Sequence, residues 1–252
     1  MLSTRSFPWR LALAPLLLAG CDRAPDLTGA AAAAADGSSP SVGTAQAPVV
    51  VVELFQSQGC SSCPPANANL NRLADRPGVL ALSFAVTYWD QLGWKDTFAS
   101  PAFTARQWDY ARFAHRGGVS TPQVIVNGGA PIVGSNNEEL ARVIRERGPA
   151  RGGPSVEIGG GGIRLSAAAV RAPATVWLVR YDPKVREVPI RAGENGGRTL
   201  PHRDIVRQLV RLGPYTGKSA GYPLPAAGEP GLRSAVLVQQ GLGGPIIAAR
   251  KL

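Results

Sequence analysis

The sequence predicts an α/β protein in two parts: an alternating strand–helix domain, then a mainly antiparallel β-sandwich-like domain. Three observations carry this. Val49–Phe55 and residues 79–86 are apolar runs interrupted only by Glu53 and Ser83, the pattern of strands buried on both faces. Helical periodicity separates and follows them. From about residue 154 the texture changes to short strands between glycine-rich turns. With 252 residues, 44% of them hydrophobic, the chain can bury a large core.

The first residues read as an export signal. Arg5 and Arg10 precede "LALAPLLLAGC", an apolar run too short for an ordinary spanning helix. Leu18-Ala19-Gly20-Cys21 resembles the bacterial lipobox, which implies a signal peptide over 1–21 and lipid attachment at Cys21. The alternative is a signal cleaved with no lipid. Residues 22–47 are small, polar and proline-rich, and cannot offset the entropy cost of ordering, so they are expected to be a disordered tether. The predicted location is the cell envelope, facing the periplasm and lipid-anchored, or else free in the periplasm.

Within the first folded part, residues 48–150, "ANANLNRLADRPG" is expected to be a helix between the two apolar strands. Residues 101–116 form a second, with Ser100 as cap, Pro101 in its first turn, and Phe103, Trp108, Ala111 and Phe113 on its apolar face. Asn127-Gly128 marks a tight hairpin between two short strands. Ser135 with Glu138 reads as a capping box for a third helix that ends at Gly148-Pro149. The second part, 151–252, contains "VEIGGGGIRLSA", "TVWLVRY", "KVREVPIR", "SAVLVQQ" and "PIIAARKL" as strands. Residues 202–212 have helical spacing in β surroundings and are assigned to a strand. "GLGGPI" reads as a hairpin turn, since no helix follows it.

The chemistry concentrates at Cys60-Ser61-Ser62-Cys63, between the first strand and the first helix. A helix N-terminus has unpaired N–H groups and a partial positive charge, which together stabilise a thiolate. Such sites bring a thiol pKa from about 8.5 to roughly 3.5–7.5. Cys60, at the tip and expected to be the more exposed, is assigned as nucleophile; Cys63, one turn in, is assigned as the resolving thiol. Pro64 and Pro65 suit the first turn. With Cys21 lipidated, Cys60 and Cys63 are the remaining pair of the three cysteines, in an oxidising compartment.

Other roles for the pair stay open. Structural zinc needs two more ligands, and the chain offers only His115 and His202. A copper chaperone needs the pair and one histidine. A non-catalytic binding or assembly protein keeps the pair as a permanent disulfide. No cofactor or metal is required by the leading reading, and its partners are protein or small-molecule thiols. Net charge is +10, but the arginines are scattered and no basic patch is interleaved with aromatics, which argues against nucleic acid.

The order of elements resembles the thioredoxin fold. There a cis-proline, often after Thr or Val, faces the cysteine pair; here the matching residues are Thr121 and Pro122. The resemblance implies a docking edge at Thr121 for an extended substrate. "VVELFQSQGCSSCPPA", "YWDQLGWKDTFASPAF", "TPQVIVNG", "GENGGRTL" and "AVLVQQGLGGPI" together resemble a bacterial exported family, domain of unknown function 1223, across roughly 48–252. That resemblance implies a thioredoxin-like domain followed by a β domain and supplies no substrate.

Tyr88, Trp89 and Trp94 follow the second strand, at the sheet edge where the cysteine motif also emerges. They are expected either to wall a substrate site or to pack their own loop. Asp90 and Lys95 in the same loop are candidates for handling protons. Glu53, on the strand leading to the motif, is a candidate proton relay or else a solvated edge carboxylate. The Gly193–His202 loop either binds a ligand, faces the first domain, or is a simple turn.

Overall fold

The computed structural model describes residues 47–252 and Pro8. Cys21, its lipobox and residues 22–46 of the expected tether lie outside the described residues.

The architecture is mixed α/β. Strand β1 (Val50–Gln56) is buried at all seven positions and pairs in parallel with β2 (Val79–Ala85), from Val50↔Val79 to Gln56↔Ala85. On its other edge β1 pairs antiparallel with β3 (Gln123–Val126). The period of two sends alternate residues to opposite faces. Val51, Phe55, Leu80, Leu82 and Phe84 meet Phe103 and Tyr110 of helix α2 (Pro101–Phe113). Val50, Val52, Leu54, Val79 and Ala81 meet Leu70 and Leu73 of α1 (Pro64–Leu73) and Leu140 and Ile144 of α3 (Asn137–Arg147). Burying each such leucine or phenylalanine side chain contributes about 1.5–3 kcal/mol, which explains the apolar runs.

Local signals hold at several points. The Ser100 hydroxyl accepts from Ala102 N and caps α2. Asn127 and Gly128 have φ of 47° and 69°, the left-handed pair that a tight hairpin turn requires. The strand after this turn shrinks to a single bridge, Val124↔Ile132. Helix α3 is capped by Asn136, whose side chain accepts from Glu138 N and Glu139 N; Ser135 lies one residue too early for the expected capping box. The buried face of α2 also differs from the expected one. It carries Phe103, Arg106, Gln107, Tyr110 and Ala111, whereas Phe113 is exposed, because a buried glutamate and glutamine elsewhere in the chain supply partners for Arg106.

The second half comprises β4 (Val156–Gly159), β5 (Gly162–Leu165), β6 (Ala174–Asp182), β7 (Arg186–Pro189), β8 (Thr199–His202), β9 (Ile205–Tyr215), β10 (Ala220–Pro223), β11 (Arg233–Gln240) and β12 (Ile246–Lys251). Residues 205–212 are therefore strand, as assigned, after a break at Arg203 and Asp204, and the "GLGGPI" turn joins β11 to β12. A small β10-β5-β4 sheet packs through Ile163, Leu165 and Tyr222 on Val176, Leu178 and Val236 of β6 and β11, so this half is layered like a sandwich.

Its larger layer, however, is not a sheet of its own. Strand β9 pairs in parallel with β2 at Ser83↔Ile205, and a seven-stranded sheet runs β12-β11-β6-β9-β2-β1-β3. One apolar cluster joins Phe55 and Phe84 to Trp177, Val179, Val206 and Leu237. The expected boundary near residue 150 thus divides neither the sheet nor the core. The β7–β8 hairpin stands outside the large sheet; its Val188, Ile190 and Leu200 pack on Trp94 and Phe98. It also reaches α1, where Asn67 Nδ2 and Asn71 Nδ2 donate to Pro201 O at 2.7 and 2.9 Å.

Candidate functional site

The cysteine motif leaves the buried end of β1 and winds straight into α1. Cys60 N donates to Ser57 O and Cys63 N to Cys60 O, both at 3.1 Å, forming two successive turns. Cys63 is the N-cap of α1, with Pro64 and Pro65 behind it. Proline needs no N–H partner at these first positions, and the helix resumes bonding with Asn67 N to Cys63 O at 3.0 Å. Cys60 and Cys63 lie at disulfide distance, with Cα atoms 5.4 Å apart. Ser62 Oγ is 3.3 Å from the Cys60 sulfur and can donate to a thiolate formed there.

The aromatic loop walls this motif on two sides. Trp89 Nε1 donates to Thr121 Oγ1 at 2.7 Å. A side chain at Gly59 would lie 3.6 Å from Trp89 Cβ, so this tryptophan links the motif to the Thr121–Pro122 corner. That peptide bond is cis. Trp94 Nε1 donates to Gln58 Oε1 at 2.9 Å. Asp96 Oδ2 accepts from Gln58 N at 2.7 Å, and Asp96 Oδ1 from Phe98 N at 2.9 Å. Burial pushes the Asp96 carboxyl up to about 6 despite these bonds. Tyr88 points away towards α2, its hydroxyl donating to Gln107 Oε1 at 3.2 Å. Trp89 and Trp94 therefore wall the motif, while Tyr88 braces their loop. Of the two charged candidates here, Asp90 Oδ1 accepts from Asp96 N at 3.1 Å, and Lys95 is exposed.

The third wall comes from the far end of the chain. In the loop joining β7 to β8, Asn195 is fully buried, and its Nδ2 donates to Gln58 O at 2.9 Å and Cys60 O at 2.8 Å. Glu194 Oε2 accepts from Ser61 N at 2.9 Å and Ser61 Oγ at 2.8 Å. Those bonds hold the exposed Glu194 carboxylate below the usual carboxylate range. Gly193, at φ 74°, meets the aromatic loop closely: a Cβ here would lie 3.2 Å from Trp94 Cβ. The cover corrects one expectation. Cys60 is not an exposed tip; it is 0% accessible, and Cys63 is 1% accessible. Of the three roles open for the Gly193–His202 loop, it takes the one facing the first domain.

Glu53 takes no place in this constellation. It is fully buried on the α2 face of β1, with Arg106 Nε 2.7 Å from its Oε1 and the Tyr110 hydroxyl donating to its Oε2. Both oxygens hold partners, and it does not lie at a solvated edge. His202 is 1% accessible beneath the β7–β8 hairpin, its ring edge-on to Phe98 at 5.9 Å. Burial holds it down to about 4, so it is neutral at pH 7. His115 is exposed past the end of α2. Among the described residues no three His, Cys, Asp or Glu side chains cluster as metal ligands.

Sequence reasoning named Cys60, Cys63, Thr121, Pro122, Trp89 and Trp94; the structure sets Trp89 and Trp94 against the motif and bonds Trp89 to Thr121. It missed Gln58, and although it offered facing the first domain as one role of the Gly193–His202 loop, it did not single out Glu194 and Asn195 as the residues that bond to the motif. The available signal was the presence of larger polar side chains in "GENGGR", where a plain turn needs none.

No curated protein matches the chain. The crystal structure of a protein from Agrobacterium tumefaciens is 31% identical, covers 82% of this chain and 96% of its own, and superposes with a TM-score of 0.66. HBP35 of Porphyromonas gingivalis shares the fold alone, at 12% identity and a TM-score of 0.53, over 81% of this chain and 74% of its own. The family model described as protein of unknown function (DUF1223) matches residues 51–239, which takes in the motif, both tryptophans and the covering loop. The chain belongs to that family.

Proposed function

We propose that this protein is a thiol–disulfide oxidoreductase of the cell envelope, held at the membrane by lipid on Cys21 and acting on protein or small-molecule thiols. The observation that carries the reading is the Cys60–Cys63 pair at disulfide distance on the N-terminus of α1, joined through Trp89 to the Thr121–Pro122 corner. We read residues 48–150 as thioredoxin-like. Support comes from β1 lying between a parallel β2 and an antiparallel β3, with α1 and α3 on one face and α2 on the other.

In this mechanism a partner thiolate attacks the Cys60 sulfur. The Cys60–Cys63 bond breaks, and its electron pair leaves on Cys63 as a thiolate. The partner's second thiolate then attacks its own sulfur in the mixed disulfide and releases Cys60. The partner ends as a disulfide, and the pair ends as two thiols carrying the two protons the partner lost. The helix terminus and the Ser62 hydroxyl stabilise the anions. In the reverse direction Cys63 resolves the mixed disulfide. A Cys63→Ala variant is expected to accumulate mixed disulfides through Cys60, visible as adducts released by reductant, and Cys60→Ala to lose turnover. Equal adduct levels in wild type and Cys63→Ala would sink the reading.

A second reading, a non-catalytic binding or assembly protein, is favoured by the burial of both sulfurs at 0% and 1% accessibility. The reduction potential separates the two. A structural disulfide lies below about −300 mV, and a working one lies above it.

A further inference from the structure

The Gly193–Arg198 loop does more than shade the cysteines: it occupies the polar edge of the motif. Ser61 N–H, Ser61 Oγ, Gln58 O and Cys60 O are all engaged by Glu194 and Asn195. These groups surround the sulfur that a partner must reach. An extended polypeptide docking at Cys60 needs the same N–H and carbonyl groups for its own backbone and side chains. We propose that this loop is an internal stand-in for the substrate, and that the substrate is an extended polypeptide dithiol with an acidic side chain next to its attacking cysteine. This rests on the oxidoreductase reading and adds a substrate class to it.

Four observations support the stand-in. The loop has bonds of its own, Gly196 N to Gly193 O at 3.0 Å, Arg198 N to Asn195 O at 3.1 Å and Arg198 Nη1 to Asn195 Oδ1 at 2.7 Å, and Gly197 N is anchored to Ile190 O at 2.8 Å. It can therefore lift as a unit without unravelling. Its attachment is graded, with Asn195 buried but Glu194 and Ser61 both exposed at the rim. A competing carboxylate reaches Ser61 first, and bonds to exposed partners are the ones most readily exchanged with a competitor. The carboxylate at this position is an acid supplied by the protein to a motif that otherwise ends in serines and prolines, so the site is built to receive one. Finally, the chain carries a net charge of +10, which steers an acidic partner towards it.

The chemistry is the exchange written above, with the partner dithiol as reductant. The loop adds a condition: thiolate attack on Cys60 requires Asn195 to leave first. A small dithiol that cannot displace the loop reacts only in the lifted state, whereas an acidic peptide dithiol exchanges its carboxylate for that of Glu194.

The test measures the rate at which the Cys60–Cys63 disulfide of the full-length protein is reduced, by acid quench and alkylation. Dithiothreitol and two dithiol peptides, identical except for Glu or Gln beside the first cysteine, serve as reductants. Asn195→Ala is expected to react with dithiothreitol about tenfold faster than wild type, the equivalent of about 1.4 kcal/mol in lost cover. Glu194→Gln, which changes only the exposed contact, is expected to react about two- to threefold faster. The wild type is expected to prefer the Glu peptide over the Gln peptide, with Ser61→Ala narrowing the preference. Should Asn195→Ala misfold, the Glu194→Gln rate and the peptide preference decide alone. Unchanged rates in both variants, or no peptide preference in wild type, overturn the stand-in. The two readings fail separately: unchanged rates with mixed disulfides still trapped by Cys63→Ala remove only the stand-in. Faster rates with no trapped partner leave the loop as a cover and remove the oxidoreductase.

Discussion

Two buried polar clusters lie on opposite sides of the β1–β2 pair, and they are built in opposite ways. On the α2 side, Arg106 is sealed among Glu53, Tyr110 and Gln239, and Gln239 Nε2 passes the chain of bonds on to Gly244 O at 2.9 Å. The guanidinium also lies 5.2–5.7 Å from the ring centres of Phe84, Tyr110 and Trp177. On the α1 side, both ring nitrogens of His202, Asn67 Oδ1 and Ser83 Oγ are buried without hydrogen-bond partners among the described residues. The closed cluster ties β1, α2 and β11 into one body. The open one lies where the β7–β8 hairpin meets the sheet and α1, the contact that brings the covering loop to the cysteines. The α2-side cluster, where Trp177 Nε1 is the buried atom left without a partner, is the more fully bonded, and the poorly bonded one adjoins the hairpin that carries the covering loop.

The sharpest way to break this contrast is Arg106→Leu. It strands the Glu53 carboxylate in the core, and leaving one partner of a buried pair uncompensated costs about 3–5 kcal/mol. Urea unfolding should show the loss as a lower midpoint; a loss under about 1 kcal/mol would mean the closed cluster is not what holds α2 to the sheet.

The pH dependence of stability probes the open cluster. His202 is held down to about 4 from 6.5 by burial, so the unfolded chain takes up the proton first. Its effect is absent above pH 6.5 and destabilises progressively as pH falls to about 4, by roughly 3 kcal/mol in total. Asp204 and Asp96 oppose it. Burial raises them to about 7 and about 6, so their contributions are complete below the ordinary 3.8 and are lost as pH rises through those values. His202→Phe isolates the histidine: its stability relative to wild type should rise as pH drops from 6.5 to 4. A constant difference would place a partner on the ring.

The smallest effect belongs to Ser83→Ala. The hydroxyl is buried and unpartnered, so its removal should be neutral or stabilising by up to about 1 kcal/mol in the same unfolding measurement. A loss of more than that would reveal a bond the open cluster lacks here.

What could be read from the sequence was whatever a few neighbouring residues encode. Apolar runs gave β1 and β2, Ser100 gave the cap of α2, and Asn127-Gly128 gave the turn. The Cys-x-x-Cys and the tryptophans after β2 sit where local order put them. What stayed hidden depends on distant pairing. The single sheet hinges on Ser83↔Ile205, which no local pattern specifies. Nothing local marks Arg106 as buried, because its partners Glu53 and Gln239 stand 53 and 133 positions away. Cys60 looked exposed because Asn195, which bonds to its carbonyl, follows 135 residues later.

That last separation has a consequence for how the molecule comes into being. Chains are made from the N-terminus at about 5–20 residues per second, so Cys60 and Cys63 emerge several seconds before Asn195 exists. During that interval the pair is open to any oxidant that meets the growing or newly delivered chain. The bond between the sulfurs can therefore form while they are bare, before the last quarter of the polypeptide arrives to cover them.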